Sequence, residues 1–186
     1  MRRLGVFNQV SLDGYFTDKN GDMSWAHKQD AEWQAFASQN ASGGGVLVFG
    51  RITYDMMASY WPTPEAHKQN PVVAEQMNKL QKIVFSRSLD TARWSNTTLI
   101  KDNIVEAVRT LKRAPGPDMV IMGSGTIVSQ FSAARLIDEY QIVVNPIVLG
   151  SGRTMFDGMD GKMGLALKNS RSFSNGNVVL WYGPSA

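Results

Sequence analysis

The sequence predicts an α/β fold, a three-layer sandwich whose central sheet is mostly parallel and closes with an antiparallel C-terminal hairpin. Short continuous apolar runs, such as Val46–Phe49, alternate with segments of helical pattern, as expected for parallel strands covered on both faces. Near the end of the chain, two strand-like segments flank Asn175-Gly176, a strong signal for a tight hairpin turn. Without repeats or a long linker, residues 1–186 are expected to form one domain.

The first half of the chain is expected to hold three strands and three helices. A strand at 4–10 ends in the turn Ser11-Leu12-Asp13-Gly14, and polar residues 17–22 form an exposed loop. A helix at 30–39 stops at the glycines 43–45. The apolar runs 46–49 and 83–85 are buried strands. Between them lie a short helix at 54–57 and a helix at 71–80, which starts with a proline that the first turn tolerates.

The second half continues the alternation. A strand at 97–101 precedes a helix at 104–113, for which Asn103 is a cap and Glu106 occupies the capping-box position. The apolar run 119–122 leads through glycines into a helix that begins near Thr126. A strand at 141–144 is expected to extend over 146–149, and strands at 165–173 and 178–182 form the hairpin.

Composition excludes several classes of function. The chain is 43% hydrophobic and 19% charged, which is typical of a globular domain. A net charge of +3 with no basic block longer than two residues argues against nucleic acid, and without a membrane span or export signal we expect a cytoplasmic protein with no membrane partner. The absence of cysteine excludes thiol chemistry, and two isolated histidines, His27 and His67, predict no metal site.

Three strands end in segments suited to holding phosphate: Gly50-Arg51-Ile52-Thr53, Ser86-Arg87-Ser88 and Gly123-Ser124-Gly125-Thr126. Each combines hydroxyl groups with glycine or arginine at the edge of the sheet where open α/β folds bind ligands. Taken singly, each arginine is more often a surface residue, and each glycine turn can serve geometry alone. Together the three segments predict one extended polyphosphate ligand, such as a dinucleotide. No Gly-x-Gly-x-x-Gly motif follows the first strand.

The strings VLVFGRITYDMM, KIVFSRS and IMGSGTIVSQ resemble the dihydrofolate reductase superfamily. Within it, SLDGYF and NPIVLGSGRTMF are similar to the reductase domain of riboflavin biosynthesis and its standalone relatives. The resemblance implies a dihydrofolate reductase-like fold, a homodimer, and NADPH as the cofactor, with Arg87 favouring the 2′-phosphate. The residues implied to hold NADPH are Gly50, Arg51, Thr53, Ser86, Arg87, Gly123, Ser124, Gly125 and Thr126.

A second set of residues is predicted to face the substrate. Met23-Ser24-Trp25, Asp30 and Trp33 are similar to a dihydrofolate reductase pattern, which implies that Asp30 is a catalytic carboxylate next to a heterocyclic amidine. Alternatively, Asp30 is a helix N-terminal acid favoured by the dipole, since the riboflavin branch does not depend on an acid there. The candidate substrate-binding residues are Asn8, Asp13, Trp25, Trp61 and Asn145. Asp13 can instead build a turn, and the tryptophans can be core aromatics.

The expected function is that of an NADPH-dependent reductase that transfers hydride to a small pyrimidine-, pterin- or sugar-like substrate. The chain departs from true dihydrofolate reductases before KIVFS, where the Arg-Pro stretch that holds the folate tail is missing, so folate is not the expected substrate. It also lacks the cysteines of a zinc deaminase, so it is not a bifunctional deaminase–reductase. The alternative is a non-catalytic nucleotide-binding protein that retains the NADPH site.

Overall fold

In a computed structural model, residues 1–26 and 30–185 are described, so His27 lies outside the described residues. The strands are β1 (Leu4–Ser11), β2 (Tyr15–Asp18), β3 (Val46–Gly50), β4 (Gln81–Phe85), β5 (Thr97–Ile100), β6 (Met119–Met122), β7 (Glu139–Asn145), β8 (Gly152–Thr154), β9 (Leu165–Ser172) and β10 (Val178–Pro184). The α-helices are α1 (Ala31–Ser42), α2 (Arg51–Tyr60), α3 (Pro64–Gln69), α4 (Pro71–Lys79), α5 (Ile104–Arg113) and α6 (Gly125–Ala133).

Eight strands form the central sheet in the order β5-β4-β3-β6-β1-β7-β10-β9. The first six are parallel, while β10 pairs antiparallel with both β7 and β9. This arrangement confirms the predicted α/β fold with a mostly parallel sheet and a closing hairpin. Because β3, β4 and β6 are parallel neighbours or next neighbours, the segments that follow them leave the sheet at the same edge.

Helices cover both faces of the sheet, as the continuous apolar runs indicate. In β3, Val46 and Val48 point into a core with side chains of α5 and α6, whereas Leu47 and Phe49 point into a second core with side chains of α2 and α4. A third cluster lies on the α2 side of the sheet, where Trp33 and Phe36 of α1 pack on β7 and β10. The sheet is therefore the middle of three layers.

Some elements differ from the expectations. Helix α2 is longer than predicted and begins directly after Gly50, while the short helix α3 and the two-stranded sheet of β2 and β8 have no predicted counterpart. The expected strand extension at 146–149 is absent, because the chain turns away after Asn145 and Ile147 accepts a hydrogen bond from the Leu12 N–H instead. Among the described residues, no helix has the length and apolar character to cross a bilayer.

Candidate functional site

A cleft of about 830 Å³ opens at the edge of the sheet where β3, β4 and β6 end. All three segments predicted to hold phosphate line it, although they come from distant parts of the chain. The predicted cofactor-binding residues on its walls are Gly50, Arg51, Thr53, Ser86, Arg87, Gly123, Ser124, Gly125 and Thr126. The structure therefore brings this whole set together in one place.

The turn between β6 and α6 has an unusual backbone. Gly123 and Ser124 both adopt left-handed conformations, with φ of +61° each. A Cβ atom at Gly123 would lie 2.9 Å from the side chain of Thr53, so only glycine fits there. The left-handed conformation of Ser124 costs about 1 kcal/mol, which its hydrogen bonds help to offset.

These hydrogen bonds join the turn to α2. The Ser124 Oγ accepts from the Gly50 N–H at 2.7 Å, and the Ser124 N–H donates to Thr53 Oγ1 at 3.1 Å. The N-termini of α2 and α6 are thus fixed side by side at the cleft. Each presents first-turn N–H groups and the positive end of a helix dipole, which favours a bound anion.

Arginine side chains stand beside these helix N-termini. Arg51 pairs with Asp55 at 3.2 Å and Arg87 lies 3.8 Å from Asp102, all four side chains being well exposed. Exposed pairs of this kind contribute about 0–1 kcal/mol, so either arginine can exchange its partner for a ligand phosphate at little cost. The loop that carries Arg87 is ordered by Ser86, whose Oγ accepts from the N–H groups of Ser88 and Leu89.

Three further cations line the cleft and were missed from the sequence: Lys101, Arg109 and Arg153. Arg109 pairs with Glu106 at 3.3 Å. Neither Lys101 nor Arg109 lies in a glycine- or serine-rich segment, so no local signal marks them. Arg153, however, belongs to the GSGRT string that carried part of the resemblance.

The residues of the cleft fit the polyphosphate part of NADPH. The glycine turn leaves room where a Cβ atom would collide with protein, two helix N-termini face the same space, and the described lining has five cationic side chains against one carboxylate. No group of three or more histidine and acidic residues that could hold a metal is found within 1–26 and 30–185.

Two predicted substrate residues, Asn8 and Asn145, are buried and have structural partners. Asn8 is buried, and its Nδ2 donates to the Gly123 carbonyl at 3.2 Å and to the Met155 sulfur at 2.9 Å. It therefore supports the glycine turn from beneath. Asn145 is also buried, with Nδ2 donating to the Val10 carbonyl at 3.2 Å, while its Oδ1 is buried without a hydrogen-bond partner among the described residues.

Asp13 has structural partners in the loop that follows β7. Its carboxylate accepts hydrogen bonds from the N–H groups of Gly150 at 2.7 Å and Leu149 at 3.1 Å. Hydrogen bonding from the Ser11 side chain, followed by these two backbone groups, lowers the pKa of Asp13 to about 2. The carboxylate thus ties the first turn of the chain to the loop after β7 and stays ionised at neutral pH.

Asp30, Trp25 and Trp61 lie outside the set of described residues that line the cleft. The Asp30 Oδ1 accepts from the Trp33 N–H at 2.7 Å, which is the geometry of a helix N-cap on α1. Trp25 is half-buried and donates its Nε1–H to the Asp22 carbonyl. Trp61 packs against the second core cluster, with its Nε1–H directed at the Met57 sulfur.

Comparison with known proteins supports this architecture. Residues 2–179 match the family model of the RibD C-terminal domain. The uncharacterized protein YyaP of Bacillus subtilis strain 168 is 30% identical over 182 residues, which cover 97% of this chain and 94% of that protein.

Solved structures share the fold. A Shewanella sp. PV-4 protein with a provisional assignment to riboflavin biosynthesis superposes with a TM-score of 0.75 at 24% identity, covering 99% of both chains. The diaminohydroxyphosphoribosylaminopyrimidine deaminase/5-amino-6-(5-phosphoribosylamino)uracil reductase of Thermotoga maritima has a TM-score of 0.70 at 14% identity, covering 99% of this chain and 57% of that one. Because the family model matches nearly the whole sequence, the chain belongs to the RibD C-terminal domain family.

Proposed function

We propose that this protein is an NADPH-dependent reductase that transfers hydride to a small heterocyclic substrate of the pyrimidine class. The observation that carries the proposal is the convergence of three phosphate-suited segments on one cleft lined by five cations among its described residues. Membership of the RibD C-terminal domain family supports it, as does the likeness to a Thermotoga maritima protein named for uracil reductase activity. The homodimer expected from the resemblance is part of the same proposal.

In this proposal, each cleft segment takes one part of the coenzyme. The turn 123–126 and the N-terminus of α6 hold the pyrophosphate, while Ser86 and Arg87 hold the 2′-phosphate. Gly50, Arg51 and Thr53 form the wall between them. Bound NADPH would supply the hydride, and the contribution of the protein is to position the reactants and to exclude water.

The test is a fluorescence titration of the protein with NADPH and with NADH. We expect the protein to prefer NADPH, because only NADPH presents a 2′-phosphate to Arg87. Replacing Arg87 by alanine should weaken NADPH binding by about tenfold or more, since a charge-assisted contact is lost, and leave NADH binding unchanged. The matched control is Arg113→Ala, which removes an exposed arginine that does not line the cleft. If the wild-type protein bound neither nucleotide, the proposal would be wrong.

One observation favours the alternative of a non-catalytic nucleotide-binding protein. Among the described residues that line the cleft, the only carboxylate is that of Glu106, and it pairs with Arg109. Asp30 is engaged as the cap of α1, so the proposal assigns it no proton transfer. NADPH oxidation in the presence of pyrimidine, pterin and sugar-like substrates separates the two functions, because the alternative predicts binding without turnover on any of them.

A further inference from the structure

The glycine turn at the head of α6 lies between two structural elements that each carry an arginine. On one side, Gly123 is packed against Thr53 of α2, the helix that begins with Arg51. On the other side, a Cβ atom at Gly125 would lie 2.8 Å from the ring of Phe16 in β2 and 3.2 Å from the Thr154 carbonyl oxygen in β8. Arg153 of β8 therefore reaches the cleft from the side of the turn opposite Arg51.

The backbone that carries Arg153 is firmly anchored. Strand β8 pairs with β2, where Arg153 lies opposite Thr17. The next residue but one, Met155, is buried and accepts a hydrogen bond from Asn8, which in turn donates to the Gly123 carbonyl. Two residues further, the Asp157 carbonyl accepts from Ser129 Oγ of α6 at 2.8 Å. The backbone position of Arg153 relative to the turn is thus set by a hydrogen bond to α6 and, through Asn8, by a link to the turn.

Arg153 differs from the other cleft arginines in its ion pairing. Arg51, Arg87 and Arg109 each have an acidic partner, in Asp55, Asp102 and Glu106 respectively. Within the described part of the chain, Arg153 forms no ion pair, and its side chain is exposed to the cleft. A guanidinium without an ion-pair partner, carried by an anchored backbone next to a helix N-terminus, is suited to binding an anion by paired, charge-assisted hydrogen bonds.

We infer that Arg153 is a coenzyme-binding residue that holds the pyrophosphate bridge of NADPH from the side of the turn opposite Arg51. This inference rests on the proposed function. It separates two tasks within the cleft, because Arg87 faces the 2′-phosphate that distinguishes NADPH from NADH, whereas Arg153 faces the pyrophosphate that both coenzymes share. The competing interpretation is a solvated surface arginine with no ligand.

Isothermal titration calorimetry with three nucleotides tests this division. NADPH carries both the pyrophosphate and the 2′-phosphate, NADH carries only the pyrophosphate, and 2′-AMP carries only the 2′-phosphate. Arg153→Ala should weaken NADPH and NADH by about tenfold or more and leave 2′-AMP unchanged. Arg87→Ala should show the reverse pattern, weakening NADPH and 2′-AMP but not NADH. Arg153→Lys should recover part of the lost affinity, since it keeps the charge without the planar guanidinium.

The outcomes distinguish this inference from the proposed function. If wild-type protein binds NADPH, and Arg153→Ala binds both NADPH and NADH as tightly as wild type does, the inference is overturned while the proposed function stands. An equal loss for 2′-AMP in a variant whose circular dichroism spectrum is unchanged would also overturn it, because Arg153 would then act at the adenosine end. If wild-type protein does not bind NADPH, the proposed function itself has failed.

Discussion

Lys82 is a buried lysine far from the cleft that closes the end of α4. Its side chain is 1% exposed, and its Nζ donates to the carbonyls of Leu80 at 2.6 Å and Asn78 at 3.1 Å while lying 4.5 Å from the ring centre of Trp94. These carbonyls lie at the C-terminal end of the helix, where a cation is favoured by the dipole. Burial nevertheless lowers the pKa of Lys82 to about 8, because the charged form loses solvation.

This pKa predicts a pH dependence of stability. In the unfolded chain, Lys82 keeps its proton up to its ordinary pKa of 10.5, whereas in the folded protein it releases the proton above about 8. Between these values the unfolded state binds more protons, so the contribution of Lys82 to stability rises with pH; below about 8 the cost of burying the charge is fully present. Urea unfolding should show wild type gaining up to about 1.4 kcal/mol per pH unit over Lys82→Met between pH 8 and 10.5.

The control for this series is Lys79→Met, which removes an exposed lysine from the last turn of α4. Because the Lys79 side chain is exposed, the difference in unfolding free energy between this variant and wild type should stay nearly constant over the same pH range. A constant difference for Lys82→Met as well would show that Lys82 does not titrate differently in the folded protein.

At the level of single residues, the positions of side chains in the cleft could be predicted where one short contiguous segment contains all the residues concerned. Each of the three cleft segments is a contiguous string at the end of a strand, so parallel pairing alone brings its residues to one edge. Asp30 shows where such prediction fails. An acidic residue before a helix gives the same sequence pattern whether it caps the helix or contacts a substrate. Lys101 and Arg109 reach the cleft through packing between distant segments, which no local pattern encodes.

Among the elements, the two-stranded sheet of β2 and β8 is the clearest case of structure that depends on distant pairing. The strands have four and three residues, and neither alternates strongly enough to be recognised alone. Their register depends on Gly152, because a Cβ atom at this position would overlap the carbonyl oxygen of its neighbour Thr17. Since Arg153 follows directly, the same contact sets the position of the cleft arginine.

We therefore expect Gly152→Ala to displace β8. The variant should lose about 1–3 kcal/mol of unfolding free energy, as overpacked sites do, and its NADPH affinity should fall in the same direction as that of Arg153→Ala. Urea unfolding and nucleotide titration measure the two effects. Gly5→Ala is the control, because a Cβ atom there meets only backbone oxygens at 3.8 and 3.9 Å and the backbone is not left-handed. Wild-type stability of Gly152→Ala would show that β8 can move at no cost.

At the scale of the whole molecule, the layers were predictable and the strand order was not. Buried parallel strands appear as continuous apolar runs, and the hairpin is marked by Asn175-Gly176, so the sequence indicates a covered parallel sheet with an antiparallel edge. The insertion of β6 between β3 and β1 depends on which side chains fill the two cores. That choice is made by packing across the sheet and leaves no periodic pattern in any one segment.

Charge is distributed unevenly over the molecule, and the excess of positive charge in the cleft is larger than that of the whole chain. The chain has a net charge of only +3, yet five cationic side chains and a single carboxylate line the described part of the cleft: Arg51, Arg87, Lys101, Arg109, Arg153 and Glu106. A concave surface lined mainly by charges of one sign focuses the electrostatic field and attracts ligands of opposite charge. The long-range attraction for NADPH should therefore be strongly screened by salt.

The last prediction concerns this salt dependence. Raising the ionic strength from about 0.01 M to about 1 M shortens the Debye length from about 30 Å to about 3 Å, so NADPH affinity should fall by at least about tenfold. NADH should lose less, because it lacks the charges of the 2′-phosphate. Fluorescence titration at several salt concentrations gives the slope, which should be shallower for Arg153→Ala and unchanged for Arg113→Ala. Equal affinity at both ends of the range would mean that the cations of the cleft do not bind the coenzyme.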